Sequence, residues 1–353
     1  MIARVLKAVL KLIILVVFAA ILFLLYIYLT DYRPDKIQNL AISGKGMPID
    51  DTSTHFTFLS WNIGYAGLDA EMDFFYDGGT KTRATKDATQ RNLVQISKLL
   101  SEYKNQDFVL LQEVDQHAAR TYYIDEFKVL SEQYMAFDDA FVKNYDVKFV
   151  PMPITNPMGS VVAGLATFSK YHPVESKRIS LPGSFSFPTS LFMLDRCFHF
   201  TRYKLRGQKQ LVVINTHNTA FDDGSQRQEQ IEDLKELAMQ EFTNGNYVVI
   251  GGDFNTNPPG FNPKLLGKGY VGFSIEPEIK WGFPSDWMFS FDSSLPSNRD
   301  LGSSYKHGET KTTIIDFFIT SPNLKIEEVK TIDLTFRDSD HQPIMLKIAL
   351  IRE

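Results

Sequence analysis

The order of apolar and polar residues divides the chain into one membrane-length segment and a long region of strands and helices. Residues 12–29 are all apolar or aromatic, which is about the length that an α-helix needs to cross a hydrocarbon layer. Short runs rich in β-branched and aromatic residues follow, and several are continuously apolar, as is typical of strands covered on both faces. The predicted strands cover residues 56–61, 108–111, 165–168, 211–215, 247–250, 314–319 and 344–348.

Two stretches between these runs place apolar residues at helical spacing, which predicts amphipathic helices packed on a sheet. Ser225 and Gln228 predict a capping box at the start of the second helix. The apolar residues of the first helix are Leu93, Ile96, Leu99, Leu100 and Tyr103, and those of the second are Ile231, Leu234, Ala238 and Phe242. Strands interleaved with outer helices indicate an α/β fold. The aromatic and Gly/Pro-rich segment 260–308 interrupts this rhythm and is predicted to be an inserted loop region.

The N-terminal apolar segment is predicted to be an uncleaved transmembrane signal anchor. A cleaved signal peptide is the alternative, but the apolar run is longer than a usual signal core and no clear small-x-small cleavage site follows it. Arg4, Lys7 and Lys11 precede the run, and the positive-inside preference places them in the cytoplasm. We therefore expect a cytoplasmic N-terminus at residues 1–11, a transmembrane helix at 12–29, a tether at 30–53 and one extracytoplasmic domain at 54–353.

The charge balance bears on the class of partner. Five basic and two acidic residues lie in residues 1–36, which leaves 32 basic and 40 acidic residues, a net charge of −8, for the rest of the chain. An acidic domain gains little from non-specific attraction to a polyanion, which disfavours nucleic acid without excluding a local basic groove. The single cysteine, Cys197, can form no internal disulfide and is expected to be a small buried apolar side chain.

Polar residues with useful chemistry stand at the ends of the apolar strands, where a rigid sheet can present them in a shared cleft. They are Asn62, Gln112, Glu113, His217, Asn218, Asp253, Asn255, Asp316, Asp340 and His341. Asn62 could instead form a turn at a strand end, and Asp253 could belong only to a turn after a strand. A structural role is a poor explanation for Asp316, because a carboxylate inside an Ile-Ile-Asp-Phe-Phe run is costly to bury unpaired.

These residues resemble, in order, the motifs of the endonuclease/exonuclease/phosphatase superfamily. The motifs are Ser60-Trp61-Asn62, Gln112-Glu113, Thr216-His217-Asn218, Gly252-Asp253-Phe254-Asn255, Ile315-Asp316-Phe317 and Ser339-Asp340-His341-Gln342-Pro343. Each motif is weak evidence alone, but six in the superfamily's order across residues 55–350 are strong evidence. The resemblance implies a two-sheet α/β sandwich with outer helices, the DNase-like four-layer fold, and an enzyme that hydrolyses phosphoric esters.

The resemblance also implies a metal cofactor. Phosphodiester hydrolysis needs a cation to neutralise charge on the phosphate, and hard oxygen ligands suit Mg²⁺, with Mn²⁺ as the alternative. Glu113 is the first choice of ligand, helped by Asn62 and by Asp340, either directly or through water.

The remaining motif residues would carry out the chemistry. The resemblance assigns Asp253 to orienting or deprotonating the attacking water, with Asn255 holding that water or a phosphate oxygen. His217 and His341 would face the phosphate, and Asp316 would fix the ring of His341 as a supporting carboxylate. Which of the two histidines protonates the leaving group is open at this point.

Several other polar residues are expected to lie outside the site. Lys170 is predicted to be structural, or at most a weak phosphate contact. Arg227 could face the site, but a solvated position at a helix start is favoured. The histidines outside the motifs are expected to be surface or structural residues, and they are His55, His117, His172, His199 and His307.

The substrate has to be argued from the loops. Aromatic residues are concentrated in segments 72–86 and 261–291, where they could stack on bases, touch a lipid interface or form a satellite core; we expect a satellite core for about half of them. A tethered site on an acidic domain favours a phospholipid, sphingolipid or glycolipid headgroup, as in the sphingomyelinase-like and glycosylphosphatidylinositol-remodelling branches of the superfamily. The alternatives are an extracytoplasmic nuclease and, in a different class, a non-catalytic binding module on the same fold. The sequence indicates no protein partner.

Overall fold

The computed structural model describes residues 1–205, 207–220 and 222–351, and within these ranges the chain forms four α-helices and sixteen strands. The last two residues of the predicted domain 54–353 lie outside the described residues. The helices are α1 (Ile2–Leu29), α2 (Lys86–Glu102), α3 (Glu126–Ser131) and α4 (Ser225–Thr243). The strands are β1 (Ile37–Asn39), β2 (His55–Asn62), β3 (Phe108–Asp115), β4 (Asp138–Val150), β5 (Gly159–Ser169), β6 (Glu175–Ser180), β7 (Cys197–Lys204), β8 (Gln210–His217), β9 (Tyr247–Asp253), β10 (Val271–Gly272), β11 (Met288–Ser290), β12 (Asn298–Arg299), β13 (Lys311–Thr313), β14 (Asp316–Thr320), β15 (Leu324–Thr331) and β16 (Ile344–Leu350).

Most of these strands form two mixed sheets. The seven-stranded sheet has the order β1-β6-β7-β8-β9-β14-β11, and the six-stranded sheet has the order β15-β16-β2-β3-β5-β4. Each sheet contains one parallel pair at its centre, β8 with β9 and β2 with β3, while the other neighbours are antiparallel. A small third sheet joins β10, β13 and β12.

The two large sheets pack face to face on an apolar core. The rings of Phe58 and Phe108, both from the six-stranded sheet, stack with centroids 4.8 Å apart, and Phe318 of the other sheet lies 6.1 Å from Phe58. All three side chains are fully buried, and each such burial stabilises the fold by roughly 1.5–3 kcal/mol. α2 covers the outer face of the six-stranded sheet and α4 that of the seven-stranded sheet. The resulting order of helix, sheet, sheet and helix confirms the predicted four-layer α/β sandwich.

The starts of the two long domain helices differ. At α2 the side chain of Thr85 accepts a hydrogen bond from the backbone N–H of Ala88, which satisfies one of the free donors of the first turn. The predicted capping box at α4 is wrong, because Ser225 is already the first helical residue and Gly224 precedes it without a side-chain cap. The Ser225 hydroxyl donates instead to Asp223 at 2.6 Å.

Six of the seven predicted strands lie inside observed strands, and the seventh, 314–319, begins two residues too early because β14 starts at Asp316. The segment 260–308 contains the short strands β10, β11 and β12 as well as loops. Its residues Trp281 and Trp287 are buried and pack with their aromatic neighbours against the outer face of the seven-stranded sheet. The expectation of a satellite core is confirmed for this group.

α1 is the one helix among the described residues that is long and apolar enough to cross a membrane. Most of it is exposed, but its C-terminal end packs on the domain. There Phe23 lies 6.1 Å from Phe149 and 6.2 Å from Phe192, measured between ring centroids. The predicted membrane span, residues 12–29, is the C-terminal part of this helix.

The segment predicted as a tether, residues 30–53, is attached to the domain rather than free. Its strand β1 pairs with β6 at the edge of the seven-stranded sheet. Farther along, the carboxylate of Asp138 accepts hydrogen bonds from the backbone N–H groups of Gly44 and Gly46, at 2.6 and 2.8 Å. The prediction missed these contacts because a three-residue edge strand has too little pattern to detect.

Candidate active site

Three neighbouring strands of the seven-stranded sheet place three site residues side by side. His217 ends β8 and pairs in register with Asp253, which ends the parallel strand β9. Asp253 in turn pairs with Asp316, the first residue of the antiparallel strand β14. The carboxyl ends of two strands and the amino end of the third therefore meet at one edge of the sheet, as the sequence predicted.

The six-stranded sheet contributes Asn62 and Glu113. The Asn62 amide donates to Glu113 at 3.2 Å and to Asp253 at 3.0 Å, and its oxygen accepts the backbone N–H of Gly64 at 3.0 Å. Glu113 lies in a bulge of β3 and has a φ of 53°, a left-handed conformation that side chains adopt only where the surroundings impose it. The carboxylate of Glu113 thus contacts Asn62 of the neighbouring strand β2, and Asn62 in turn reaches Asp253 of the other sheet.

Asp316 holds the ring of His341. Its Oδ2 atom lies 2.8 Å from Nδ1 of His341 and accepts the Ser297 hydroxyl at 2.7 Å. The other ring nitrogen, Nε2, lies 3.7 Å from Asp253 and 3.8 Å from Asp340. Burial lowers the pKa of His341, but the carboxylates of Asp316, Asp340 and Asp253 outweigh it and hold the pKa well above its usual value. The three carboxylates thus favour the protonated form of this imidazole.

The surroundings of His217 shift its pKa in the opposite direction from that of His341. Its Nε2 atom lies 3.5 Å from Asp253 and 3.8 Å from Glu113, and its Nδ1 atom is buried without a hydrogen-bond partner among the described residues. Burial, with the nearby positive charges of Arg196 and His341, lowers its pKa well below the usual value. The surroundings thus shift the pKa values of the two histidines in opposite directions.

The carboxylates of the site fit a hard divalent cation. Burial raises the pKa of Asp253 to about 6, against the opposing charge of His341. Burial also raises the pKa of Asp340 to about 7, with the negative charge of Glu113 adding to the effect. Excess negative charge on buried oxygen ligands is what a bound Mg²⁺ or Mn²⁺ compensates.

Two groups of residues are candidates for holding a divalent cation. Asp253, Asp316 and His341 each place one ligand atom within 4.8 Å of the others, but Asp316 and His341 already use theirs in the 2.8 Å hydrogen bond between them. Glu113 and Asp340 have no such mutual bond and line the same cleft. This second group, with Asn62 beside Glu113, is the one that the sequence predicted to hold the metal.

Asn255 is fixed by its neighbours. Its backbone N–H donates to Asp253 at 2.8 Å, and its side-chain amide donates to the carbonyl of Asn218 at 3.0 Å. Arg227 donates to the Asn255 carbonyl at 3.0 Å and pairs with Asp222 at 2.6 Å. The prediction that Arg227 is solvated is wrong, because it is 3% exposed and holds the loop that carries Asn255.

The sequence reasoning missed two residues of the site. Arg196 lines the cleft, and its Nη1 atom is buried without a hydrogen-bond partner among the described residues. It directly precedes β7, whose first residues run antiparallel to the end of β8, so a search that included strand beginnings would have found it. Asn298 lies 3.0 Å from Nε2 of His341, but it comes from the irregular segment 260–308 and left no pattern.

Apart from Arg227, the other polar residues singled out as structural are accounted for by contacts away from the site. Lys170 pairs with Asp107 at 3.3 Å and is structural. His199 is buried between the hydroxyls of Ser176 and Thr167, at 2.8 and 2.9 Å. Cys197 is buried, as expected.

One cleft of about 710 Å³ contains these groups. At one end it is lined by Glu113, His217, Asp253, Asp340 and His341. Towards the other end it is lined by residues 31–34, which directly follow α1, and by residues of the loop between β6 and β7. The cleft therefore joins the polar site to the segment next to the predicted membrane helix.

Several solved structures are similar in fold to this chain. An endonuclease/exonuclease/phosphatase from Beutenbergia cavernae DSM 12333 has a TM-score of 0.53 at 14% identity, covering 84% of this chain and 72% of its own. TDP2 of D. rerio, solved with a single-strand DNA product, has a TM-score of 0.52 at 13% identity, covering 84% and 99%. The human nocturnin catalytic domain, solved with a sulfate anion, has a TM-score of 0.51 at 17% identity, covering 90% and 100%.

At these identities the likeness shows the fold alone. No curated protein matches the chain. The family model described as Endonuclease/Exonuclease/phosphatase family matches residues 59–341, which include every candidate catalytic and metal-binding residue from Asn62 to His341. The chain therefore belongs to the endonuclease/exonuclease/phosphatase family, whose members hydrolyse phosphoric esters.

Proposed function

We propose that this chain is a membrane-anchored, Mg²⁺-dependent phosphodiesterase that hydrolyses a lipid or glycolipid headgroup on the extracytoplasmic side. The observation that carries the proposal is the single cleft that contains both the acidic site and residues 31–34, the segment that follows α1. A substrate that spans this cleft would have its phosphate at the site and its other end next to the membrane helix.

The metal would be held by Glu113 and Asp340. When bound, a divalent cation supplies Lewis-acid neutralisation of the phosphate charge. Asn62 supports this set by donating its amide to Glu113, which fixes the carboxylate in place before the substrate arrives.

Asp253 is the residue that orients or deprotonates the attacking water. Both of its oxygens are engaged, since Oδ2 accepts from Asn62 and Oδ1 accepts from the backbone of Asn255. These two bonds hold the carboxylate in one orientation. The amide group of Asn255 lies next to it and can hold the same water or a phosphate oxygen.

His217, His341 and Arg196 bind the phosphate in this scheme. Their charged or polar nitrogens converge on the cleft, and donors placed ahead of reaction stabilise the charge that develops in the transition state. Asp316 keeps Nε2 of His341 directed into the cleft by occupying Nδ1. Water attacks phosphorus and loses a proton to Asp253, and the bond from phosphorus to the lipid alcohol oxygen breaks. That oxygen takes up a proton, so the lipid alcohol stays in the membrane and the phosphorylated headgroup is released.

Charge favours a small headgroup over long nucleic acid. Among the described residues that line the cleft, nine are acidic and five are arginines. A polyanion bound along such a surface would meet net repulsion away from the reacting phosphate, whereas a single phosphodiester needs positive charge only at the site.

The test uses the full chain in vesicles that contain phosphatidylcholine, sphingomyelin and phosphatidylinositol, with a short oligonucleotide as a separate substrate. We expect release of a phosphorylated headgroup with Mg²⁺, no release with EDTA, and no release by Asp253→Ala. Asp87→Ala, a change at an exposed residue of α2, is the matched control.

Two results would overturn the proposal. Cleavage of the oligonucleotide without headgroup release would make the protein a nuclease. Silence on every substrate, in a folded chain that binds Mg²⁺, would make it a non-catalytic binding module.

A further inference from the structure

Two uncharged loops flank the end of α1. The first is the tip of the β4–β5 hairpin, residues 149–158, and the second is the loop 183–192 between β6 and β7; together we call them the rim. No charged residue occurs in segments 149–169 and 179–194, although 22% of the whole chain is charged. Long uncharged stretches in surface loops are unusual for a protein face that meets only water.

The rim exposes large apolar side chains. Ile154 is 83% exposed, Phe187 is 66% exposed and Met152 is 45% exposed. Exposed apolar groups gathered on one side of a protein mark a surface that binds a partner or a membrane. The rim is continuous with α1, because Phe149 and Phe192 contact Phe23 of that helix.

The position of Phe23 in α1 indicates how deep the rim lies relative to the hydrocarbon layer that this helix is proposed to cross. Phe23 lies six residues before the end of α1 at Leu29, which is roughly 9 Å along the helix axis at 1.5 Å per residue. Tyr26 and Tyr28 lie between it and the helix end, where aromatic residues with a polar tip are typical of the membrane interface. Loops that pack on Phe23 are therefore expected at the depth of the hydrocarbon layer, on the membrane side of the point where the helix leaves it.

We propose that the rim inserts into the outer leaflet of the same bilayer that α1 crosses. The inference rests on the proposed membrane anchor and deepens the proposed function. It commits to a lipid bilayer as the occupant of this surface, since the apolar loops are continuous with a membrane-length helix and carry no charge to repel acyl chains.

The rim also forms part of the cleft. Gly183, Ser184 and Phe185 of the rim line it, together with Tyr76 and Asp77. The loop that enters the leaflet is thus a wall of the space that leads to the catalytic carboxylates. A lipid could diffuse laterally to the rim and place its headgroup in the cleft while its acyl chains stay in the bilayer.

The first test measures insertion without any need for activity. An Ile154→Cys chain is labelled with an environment-sensitive fluorophore and reconstituted in phosphatidylcholine vesicles that contain a nitroxide-labelled lipid. Cys197 is fully buried, so labelling is directed to the introduced thiol. The control is Met135→Cys, a residue that is 77% exposed and lies beyond the far end of β4, whose thirteen residues span roughly 40 Å.

We expect a blue shift and quenching of the probe at position 154 and neither effect at position 135. Equal emission of the two probes, with no quenching at position 154, would overturn the inference. This result would leave the proposed function standing if the vesicle lipid were still hydrolysed.

The second test measures how the rim serves catalysis. We expect Ile154→Asp to lower the ratio of vesicle-lipid turnover to turnover of a soluble diester, bis-p-nitrophenyl phosphate, by about tenfold, the effect of removing one apolar side chain from an apolar environment. Met135→Asp should leave this ratio unchanged. An unchanged ratio in Ile154→Asp would overturn the role of the rim in substrate access, whereas quenching without any lipid turnover would overturn the proposed function alone.

Discussion

The side-chain amide of Gln112 donates a hydrogen bond to Oδ1 of Asn215 at 2.7 Å and so links the two sheets through their buried faces. Gln112 directly precedes Glu113, and Asn215 lies two residues before His217. Asn215 also donates to the carbonyls of Leu111 and Ala166, both at 3.1 Å. The relative position of the two halves of the active site therefore depends on this polar contact inside an otherwise apolar core.

We expect Asn215→Ala to lower the free energy of unfolding by roughly 2–4 kcal/mol, because it leaves buried donors and acceptors without partners. Denaturant titration of the full chain in micelles measures the change. Asn105→Ala, at an exposed position before β3, is the control and should stay within about 0.5 kcal/mol of the unchanged protein. Equal stability of the two variants would show that the contact between the sheets is unimportant.

Asp253→Asn should separate activity from stability. Turnover of the diester should fall by at least about a thousandfold, because the amide cannot take a proton from water. Burial already raises the pKa of the Asp253 carboxyl to about 6, so a neutral side chain should leave the free energy of unfolding unchanged or higher. A melting temperature that drops as steeply as that of a core cavity variant would mean that Asp253 is structural.

Arg196 should act on substrate binding. Arg196 lines the cleft, and one of its guanidinium nitrogens has no hydrogen-bond partner among the described residues. Loss of a charge-assisted hydrogen bond to phosphate costs roughly 1.5–3 kcal/mol. We expect Arg196→Met to raise KM for the diester at least tenfold, about the factor that 1.4 kcal/mol produces, and Arg196→Lys to restore part of the loss. Steady-state kinetics on both variants would contradict this role if KM stayed constant and only kcat changed.

Metal binding has a readout that does not involve turnover. At a Mg²⁺ concentration of 100 times its dissociation constant, the folded chain should gain about 2.7 kcal/mol of stability. Glu113→Gln should abolish this gain in thermal unfolding, since it removes the carboxylate assigned as the first ligand. Glu229→Gln, on the exposed face of α4, should keep the gain, and an equal gain in both variants would place the ion elsewhere.

His199 should make the fold sensitive to acid. Burial lowers its pKa to about 3, whereas the unfolded chain takes up this proton near pH 6.5. Between these two values the unfolded state binds more protons, so stability is full above pH 6.5 and falls as the pH drops towards 3, by up to about 1.4 kcal/mol per unit. His199→Gln should flatten this part of the stability curve, and His307→Gln, at an exposed position, should not.

The parts of the fold that the sequence predicted share a physical cause. Strands such as β3, β8 and β9 are apolar on both faces because sheet and helix cover them, and that pattern is visible without a structure. β15 was missed because only its first and last residues are buried and four of its eight residues are charged, namely Lys325, Glu327, Glu328 and Lys330. A half-exposed strand of this kind resembles a polar loop in sequence.

The same reasoning explains the predicted and the missed site residues. Asn62, His217 and Asp253 each end a buried strand, and Glu113 follows the apolar run of β3, so their position could be inferred. Arg196 reaches the cleft from the residue before β7, and Asn298 reaches it from the short strand β12 in the segment 260–308. Only the three-dimensional pairing of distant segments places them there. The bulge that turns Glu113 towards Asn62 is likewise a tertiary feature without a local signal.

The indole N–H of Trp61 donates to the carbonyl of His341 at 3.0 Å, across 280 residues of sequence. β16, which pairs with β2 in the six-stranded sheet, begins at Ile344, shortly after His341. A chain emerging from the ribosome therefore carries Asn62 and Glu113 long before it carries the histidine that completes the site. Because contacts between such distant residues slow folding, and because the site needs residues from both ends of the domain, hydrolytic competence should arise only after the whole domain has been synthesised and has folded.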